Sequence, residues 1–176
     1  SSDLTVLKAM PVLFEKVPDA HLLIAGSIAG GAWYNNLYNS YLKRIVDKNN
    51  LRYRIHAVTK FIPQEEVEDY YAAADIVLMP HKQGYGSASG VAHQALSARK
   101  LMLCSDGPKF EEIGLRVSKD LLAPASSPAV WADKAAWLLG DSAPRAELLK
   151  KIADYAEASS TSAVAEQHIK LYKGLI

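Results

Sequence analysis

Residues 73–106 read AADIVLMPHKQGYGSASGVAHQALSARKLMLCSD. An apolar run from Ile76 to Met79 stops at Pro80. A loop of glycine and serine follows, then a helix-like run from near Ala88 to near Lys100. A second apolar run, Leu101 to Cys104, closes the unit. Strand, small-residue loop, helix and strand make one βαβ unit, with the loop at the carboxyl end of the first strand. Ligands of open α/β sheets bind at that end. A helix opening behind Gly and Ser presents unpaired amides and the positive end of its dipole, so the expected guest is an anion such as phosphate. The bland alternative is an ordinary βα loop; position and composition both favour phosphate.

Outward from this unit, strands and helices keep alternating. Asp3 caps a helix with Leu4, Leu7, Met10 and Phe14 at helical spacing, and Pro11 should kink it or end it early. Residues 17–20 (VPDA) form a turn and 21–25 (HLLIA) a strand. Gly30 and Gly31 lie in a loop before a helix over 34–48. Tyr53 to Val58 reads as a strand, and Gln64 to Ala74 as a helix with Glu65, Glu66 and Glu68 near its amino end, where the dipole favours them. Short elements follow at 108–113 and 120–123. Three helices are expected at 128–139, 144–158 and 162–175, the first with Pro128 at its favoured opening position. The pattern predicts one domain over residues 1–176. Its fold is α/β: a Rossmann-like parallel sheet with helices on both faces and a helical C-terminal end.

Composition excludes several classes. Twenty Lys and Arg against nineteen Asp and Glu give no basic field for nucleic acid. No apolar run is long enough for a transmembrane segment. Cys104 is the only cysteine, so no intrachain disulfide forms, as suits a reducing, cytoplasmic setting. Its neighbours Met102 and Leu103 suggest a buried, inert thiol. The histidines 21, 56, 81, 93 and 168 are scattered, with no carboxylates at ligand spacing, so no metal is expected. Gly26, Gly30 and Gly31 do not make the G-x-G-x-x-G of a dinucleotide site.

Four segments carry a family resemblance, in order and across nearly the whole chain. They are Val17 to Gly26 (VPDAHLLIAG), Phe61-Ile62-Pro63 with Glu65-Glu66-Val67, Tyr70 to Pro80 (YYAAADIVLMP), and the closing Leu171-Tyr172-Lys173-Gly174-Leu175. The chain resembles the C-terminal, nucleotide-sugar-binding domain of retaining glycosyltransferases of the two-Rossmann-domain GT-B type, group 1. The resemblance implies half of a GT-B architecture, a nucleotide diphosphate sugar (UDP, GDP or ADP) as donor, and metal-independent chemistry. As a whole enzyme it would be a hexosyltransferase acting with retention, in polysaccharide, glycolipid or glycoside synthesis. The N-terminal acceptor domain and the first strand and loop of this domain would lie outside the chain. The isolated chain should then be inactive, and peripheral attachment to the inner membrane would run through the other domain. The last helix should show an exposed apolar face (Val164, Leu171, Leu175) where relatives pack the other domain.

The resemblance places diphosphate contacts at Gly86, Ser87, Ala88, Ser89 and Gly90, with Lys82 adding charge. Gly86 and Gly90 would let backbone approach closely and adopt positive φ. Gln94 is placed at the ribose; Lys60, Phe61 and Ile62 beside the nucleobase; His81, Gly84 and Tyr85 beside the donor sugar. No catalytic residue is assigned. The family's Glu-x7-Glu motif is absent: Gly86 and Gln94 stand at its two glutamates, and Arg99 stands where the family has a small residue. A non-catalytic nucleotide-binding or degenerate scaffold domain is therefore the alternative. An epimerase of related architecture would need more acid–base residues around the loop. Several residues also have plainer readings. Phe61 and Ile62 would pack in the core, His93 within the helix layer, and Tyr70 and Tyr71 at core and rim. Asp75 would serve a helix-to-strand junction, and Asp106 and Glu112 would serve capping and solvation.

Overall fold

The computed structural model describes residues 3–26, 40, 43–44, 46–47, 51–81, 89–140 and 143–175. The chain opens with helix α1 (Asp3–Lys16) and strand β1 (Leu22–Ala25). Then come β2 (Ile55–Val58), α2 (Gln64–Ala73), β3 (Ile76–Met79), α3 (Gly90–Ser97) and β4 (Leu101–Ser105). A 3-10 turn (Pro108–Phe110) leads into α4 (Glu111–Arg116), and another (Lys119–Leu121) into β5 (Leu122–Ala123). Helices α5 (Pro128–Leu139), α6 (Ala143–Ala158) and α7 (Thr161–Lys173) complete the chain. The expected loop with Gly30 and Gly31, and most of the helix over 34–48, lie outside the described residues.

All pairing is parallel. β1 pairs with β2, Leu22 opposite Ile55. β3 pairs with β4, Ile76 opposite Leu101, and β4 with β5, Cys104 opposite Leu122. The single sheet expected from the sequence is, among the described residues, two: β1-β2 and β3-β4-β5. No described strand lies between β1 and β3.

The core centres on β4, all five of whose residues are buried. A strand covered by helices on both faces is apolar throughout, which is why LMLCS does not alternate. Leu96 of α3, Trp131 and Leu138 of α5, and Ile152 of α6 join it, each at 1% exposure or less. Burying each such side chain contributes about 1.5–3 kcal/mol. The Trp131 indole N–H is not left unpaired; it donates to the Pro124 carbonyl at 2.9 Å. Helix α1 packs chiefly along α5. Its buried Leu7, Met10 and Phe14 are the residues its periodicity selects.

Four expectations are corrected. Of the two outcomes expected at Pro11, a kink or an early end, the early end is excluded: α1 runs on to Lys16. Phe61 is 74% exposed rather than packed, because it follows the end of β2 and no described strand covers that flank. His93 is exposed: Ala92, Ala95 and Leu96 form the inward stripe of α3, and residue 93 falls off it. The second strand-like run starts at Ile55 rather than Tyr53, which lies 80% exposed in the preceding turn. The expected apolar face of α7 is present. Val164 is 37% and Leu171 59% exposed, Leu175, past the helix end, is 75% exposed, and no residue of α7 is buried.

Candidate functional site

Lys82, Gly84, Tyr85, Gly86, Ser87 and Ala88 lie outside the described residues. What the structure places is the frame around them: the end of β3 at His81, the amino end of α3 at Ser89 and Gly90, and the end of β4 at Ser105 and Asp106. These all sit at the carboxyl ends of parallel strands, the edge where α/β domains bind ligands.

Ser89 is the N-cap of α3. It is buried, with extended backbone, and its hydroxyl accepts from the Ala92 amide at 3.4 Å. Its carbonyl accepts from the His93 amide. The cap uses the acceptor side of the hydroxyl and leaves its proton available to donate. The amides of Gly90 and Val91 meet no described carbonyl. Gly90 opens the helix with ordinary negative φ; the positive φ expected there is absent, and Gly26 is the one described glycine that has it. A Cβ built on Gly90 would meet nothing within 4 Å. No described residue fills the space beside the first turn of α3, and the absence of a side chain at Gly90 leaves it so.

His81 is held firmly. The buried Ser105 hydroxyl donates to its carbonyl at 2.5 Å, with the Met79 carbonyl at 3.3 Å sharing the same hydrogen. The His81 amide donates to Met79, and its ring stacks on Phe110 with centroids 5.6 Å apart. Neither Ser105 nor Phe110 was singled out in the sequence. The signal for Ser105 was there: a polar residue ending an otherwise apolar, doubly covered strand needs a hydrogen-bond partner.

Gln94 faces α2. Its Oε1 and the Val91 carbonyl, each at 3.3 Å, share the Tyr71 hydroxyl proton. Partial burial raises the Tyr71 phenol pKa, which keeps it a donor. The Gln94 amide nitrogen has no bond to a described residue, so it can still donate. Lys60 pairs weakly with Glu66 at 3.8 Å, both well exposed. Ile62 is half-buried and Phe61 exposed. Asp75 is exposed where α2 turns into β3. Asp106 holds its turn through its amide, which donates to the Ala123 carbonyl. Glu112 accepts from the Tyr155 hydroxyl and so ties α4 to α6. Burial first, and that bond second, push the Tyr155 phenol up to about 12. Among the described residues, no three His, Cys, Asp or Glu side chains gather to hold a metal, and no helix is long and apolar enough to cross a membrane.

A family model described as glycosyl transferases group 1 matches residues 4–159. The chain belongs to that family. It is 27% identical over 172 residues to a D-inositol 3-phosphate glycosyltransferase of Corynebacterium glutamicum (strain R), covering 97% of this chain and 40% of that protein. The chain therefore spans well under half of this curated relative. Among solved structures, the C-terminal domain of the glycosyl transferase group 1 family protein LpcC from Francisella tularensis superposes with a TM-score of 0.73. Identity there is 22%, over 88% of this chain and 77% of that one. Sucrose-phosphate synthase from Thermosynechococcus elongatus gives 0.69 at 23% identity, over 97% and 42%. Anabaena HepE, solved with UDP and glucose, gives 0.68 at 14%, over 94% and 44%. At these identities the likeness concerns the fold, which is the GT-B C-terminal-domain fold expected from the sequence.

Proposed function

We propose that the chain is the donor-binding domain of a glycosyltransferase that takes a hexosyl group from a nucleoside diphosphate sugar and transfers it with retention. The acceptor would bind to a second domain. The observation that carries this is the family match over residues 4–159, read with an open, amide-lined helix start at the carboxyl end of β3. Breaking the bond between the anomeric carbon and the diphosphate builds negative charge on the leaving group. Fixed donors aimed at that charge stabilise the transition state. The donors would be the amides over 86–90, the Ser87 and Ser89 hydroxyls, the dipole of α3 and Lys82. This chemistry asks for no metal. Gln94 would donate its amide to a ribose hydroxyl, Lys60 to Ile62 would flank the base, and His81, Gly84 and Tyr85 would flank the sugar.

One observation favours a second reading, a nucleotide-binding domain that does no catalysis. Neither glutamate of the Glu-x7-Glu motif is present, and Tyr71 already occupies the Gln94 carbonyl oxygen. Calorimetric titration with UDP, GDP and ADP tests binding. Gly90→Arg is a suitable blocking variant, since a Cβ there meets no atom of the described residues. Binding of one nucleotide to the wild type, and its loss in Gly90→Arg, is the expected outcome. If no nucleotide binds, both nucleotide readings fall. If binding occurs but the intact enzyme shows no transfer from any sugar nucleotide, the non-catalytic reading stands.

A further inference from the structure

Thirty-five residues apart in sequence, His21 and His56 meet in the fold. Strands β1 and β2 run parallel, with Leu23 opposite His56. Side chains alternate across a strand, so His21, Leu23 and His56 share one face. Leu22 and Ile55 take the other face and join the core. Both histidines are therefore exposed, at the amino ends of their strands. The candidate donor site lies at the opposite, carboxyl edge.

The two rings are close to parallel, 24° apart, with centroids at 5.3 Å. Nδ1 of His21 and Nε2 of His56 are 3.1 Å apart. One proton shared between them satisfies both nitrogens when the rings are neutral. Neither ring makes another hydrogen bond or ion pair with a described residue. The cation nearest in register, Arg54, is engaged at the end of α1. Its guanidinium lies 4.3 Å from the Phe14 ring centroid and donates to the Phe14 and Val17 carbonyls.

The spacing that suits a shared proton also suits a metal ion. Imidazole nitrogens bind such ions at about 2.0–2.1 Å. Two bonds of that length, reaching nitrogens 3.1 Å apart, subtend about 98° at the ion. That lies between the right angle of square-planar and octahedral sites and the tetrahedral angle. No strand has to move to bridge the pair. The exposed rings need only turn about χ2 to aim both lone pairs at one point, and that torsion is soft.

We propose that His21 and His56 chelate one divalent transition cation of the copper, nickel or zinc class, which clips β1 to β2. Imidazole suits all three ions, and copper should bind tightest. Among the described residues no third His, Cys, Asp or Glu joins the pair, so water completes the coordination. Spacing in sequence hides this site because strand register, not local pattern, brings the two rings together. The inference does not depend on the nucleotide reading.

The test is calorimetric titration of tag-free protein with copper, nickel and zinc chlorides at about pH 7.5, where imidazole is free to ligate as the neutral ring. Wild type is compared with His21→Ala, His56→Ala and, as a control, His168→Ala. The expected result is one ion per chain. Even an outer partner of a metal ligand is worth about 10–100-fold in affinity. Loss of either His21 or His56 should therefore weaken binding by about tenfold or more, and His168→Ala should leave it unchanged. Binding of none of the three ions overturns the proposal. So does binding that either His21→Ala or His56→Ala leaves intact, or a stoichiometry of one ion per two chains. A second measurement uses the unaltered chain. Saturating zinc should slow amide exchange severalfold at Leu22–Ala25 and Ile55–Val58 while leaving α6 unchanged. Exchange at β1 and β2 that ignores the ion overturns the clip.

Discussion

Strands β4 and β1 are made of nearly the same material and live in different surroundings. Leu101–Ser105 has every residue buried, between β3 and β5 and beneath helices. Leu22–Ala25, just as apolar, has one strand neighbour among the described residues; Leu23 is 44% exposed and Ala25 is exposed. β3 stands between the two cases. Among the described residues one edge is paired and one is not, and Ile76, Val77 and Leu78 are half-buried. An apolar run states that a strand needs neighbours; it does not state whether they are there.

The largest effect that can break this comparison is a pair of truncations. Leu103→Ala deletes a side chain at 0% exposure and should cost about 3 kcal/mol, within the 2–5 kcal/mol of large-to-small core changes. Leu23→Ala, on a strand edge 44% exposed, should cost less than about 1 kcal/mol. Urea unfolding of both variants checks the pair. Equal losses would mean that β1 is as enclosed as β4, and the contrast would be void.

The alternation of strands and helices was legible because it rests on local periodicity. Leu7, Met10 and Phe14 repeat at helical spacing, and Ile76 to Met79 and Leu101 to Cys104 are unbroken apolar runs closed by Pro80 and by Ser105-Asp106. The frame of the candidate site was legible for the same reason, since a Gly-Ser loop between strand and helix can only fall at the carboxyl edge. Non-local features were not. Phe61 reads as a core residue because it closes an apolar strand, yet nothing described covers it. Which strand edges are paired has no sequence signature, since HLLIA and DIVLM look alike whether paired once or twice. Ser105 could have been suspected as a buried polar end of β4, but its partner, the His81 carbonyl, is twenty-four residues away in sequence.

A second prediction sharpens the comparison at a single thiol. Cys104 is fully buried in β4, and burial raises its pKa from an ordinary 9.0 to about 12. The folded state therefore favours the neutral thiol. Below pH 9 both folded and unfolded chains keep the proton, and the contribution to stability is fully present. Between pH 9 and 12 the unfolded chain ionises first, so stability falls as pH rises. Unfolding midpoints of wild type and Cys104→Ala measured from pH 8 to 11 should diverge in slope, the wild type losing more. Iodoacetamide should label Cys104 only as fast as the chain opens globally. Parallel slopes, or rapid labelling of the native protein, would show β4 to be less sealed than its burial indicates.

The smallest effect lies in the turn that feeds β4. Helix α3 ends at Ser97, and Arg99 follows with φ of 53°, the one described non-glycine residue on the positive side. The Arg99 amide donates to the Leu96 carbonyl and the Lys100 amide to the Ala95 carbonyl, the reversal that usually places glycine at this position. A side chain in the left-handed region costs about 1–2 kcal/mol, while glycine there returns part of that through the greater freedom it gives the unfolded chain. Arg99→Gly should therefore stabilise by only about 0.5–1 kcal/mol, read as a rise in the unfolding midpoint. Arg99 is exposed, so no lost packing should mask the gain. A strained turn can persist here because Leu101 to Cys104 bury at once beyond it, and the same substitution tells how much of the stability of β4 holds that turn in place. A loss of stability instead would mean that the arginine side chain makes a contact worth more than the strain, and the turn would then be anchored by its own residue rather than by the strand it leads into.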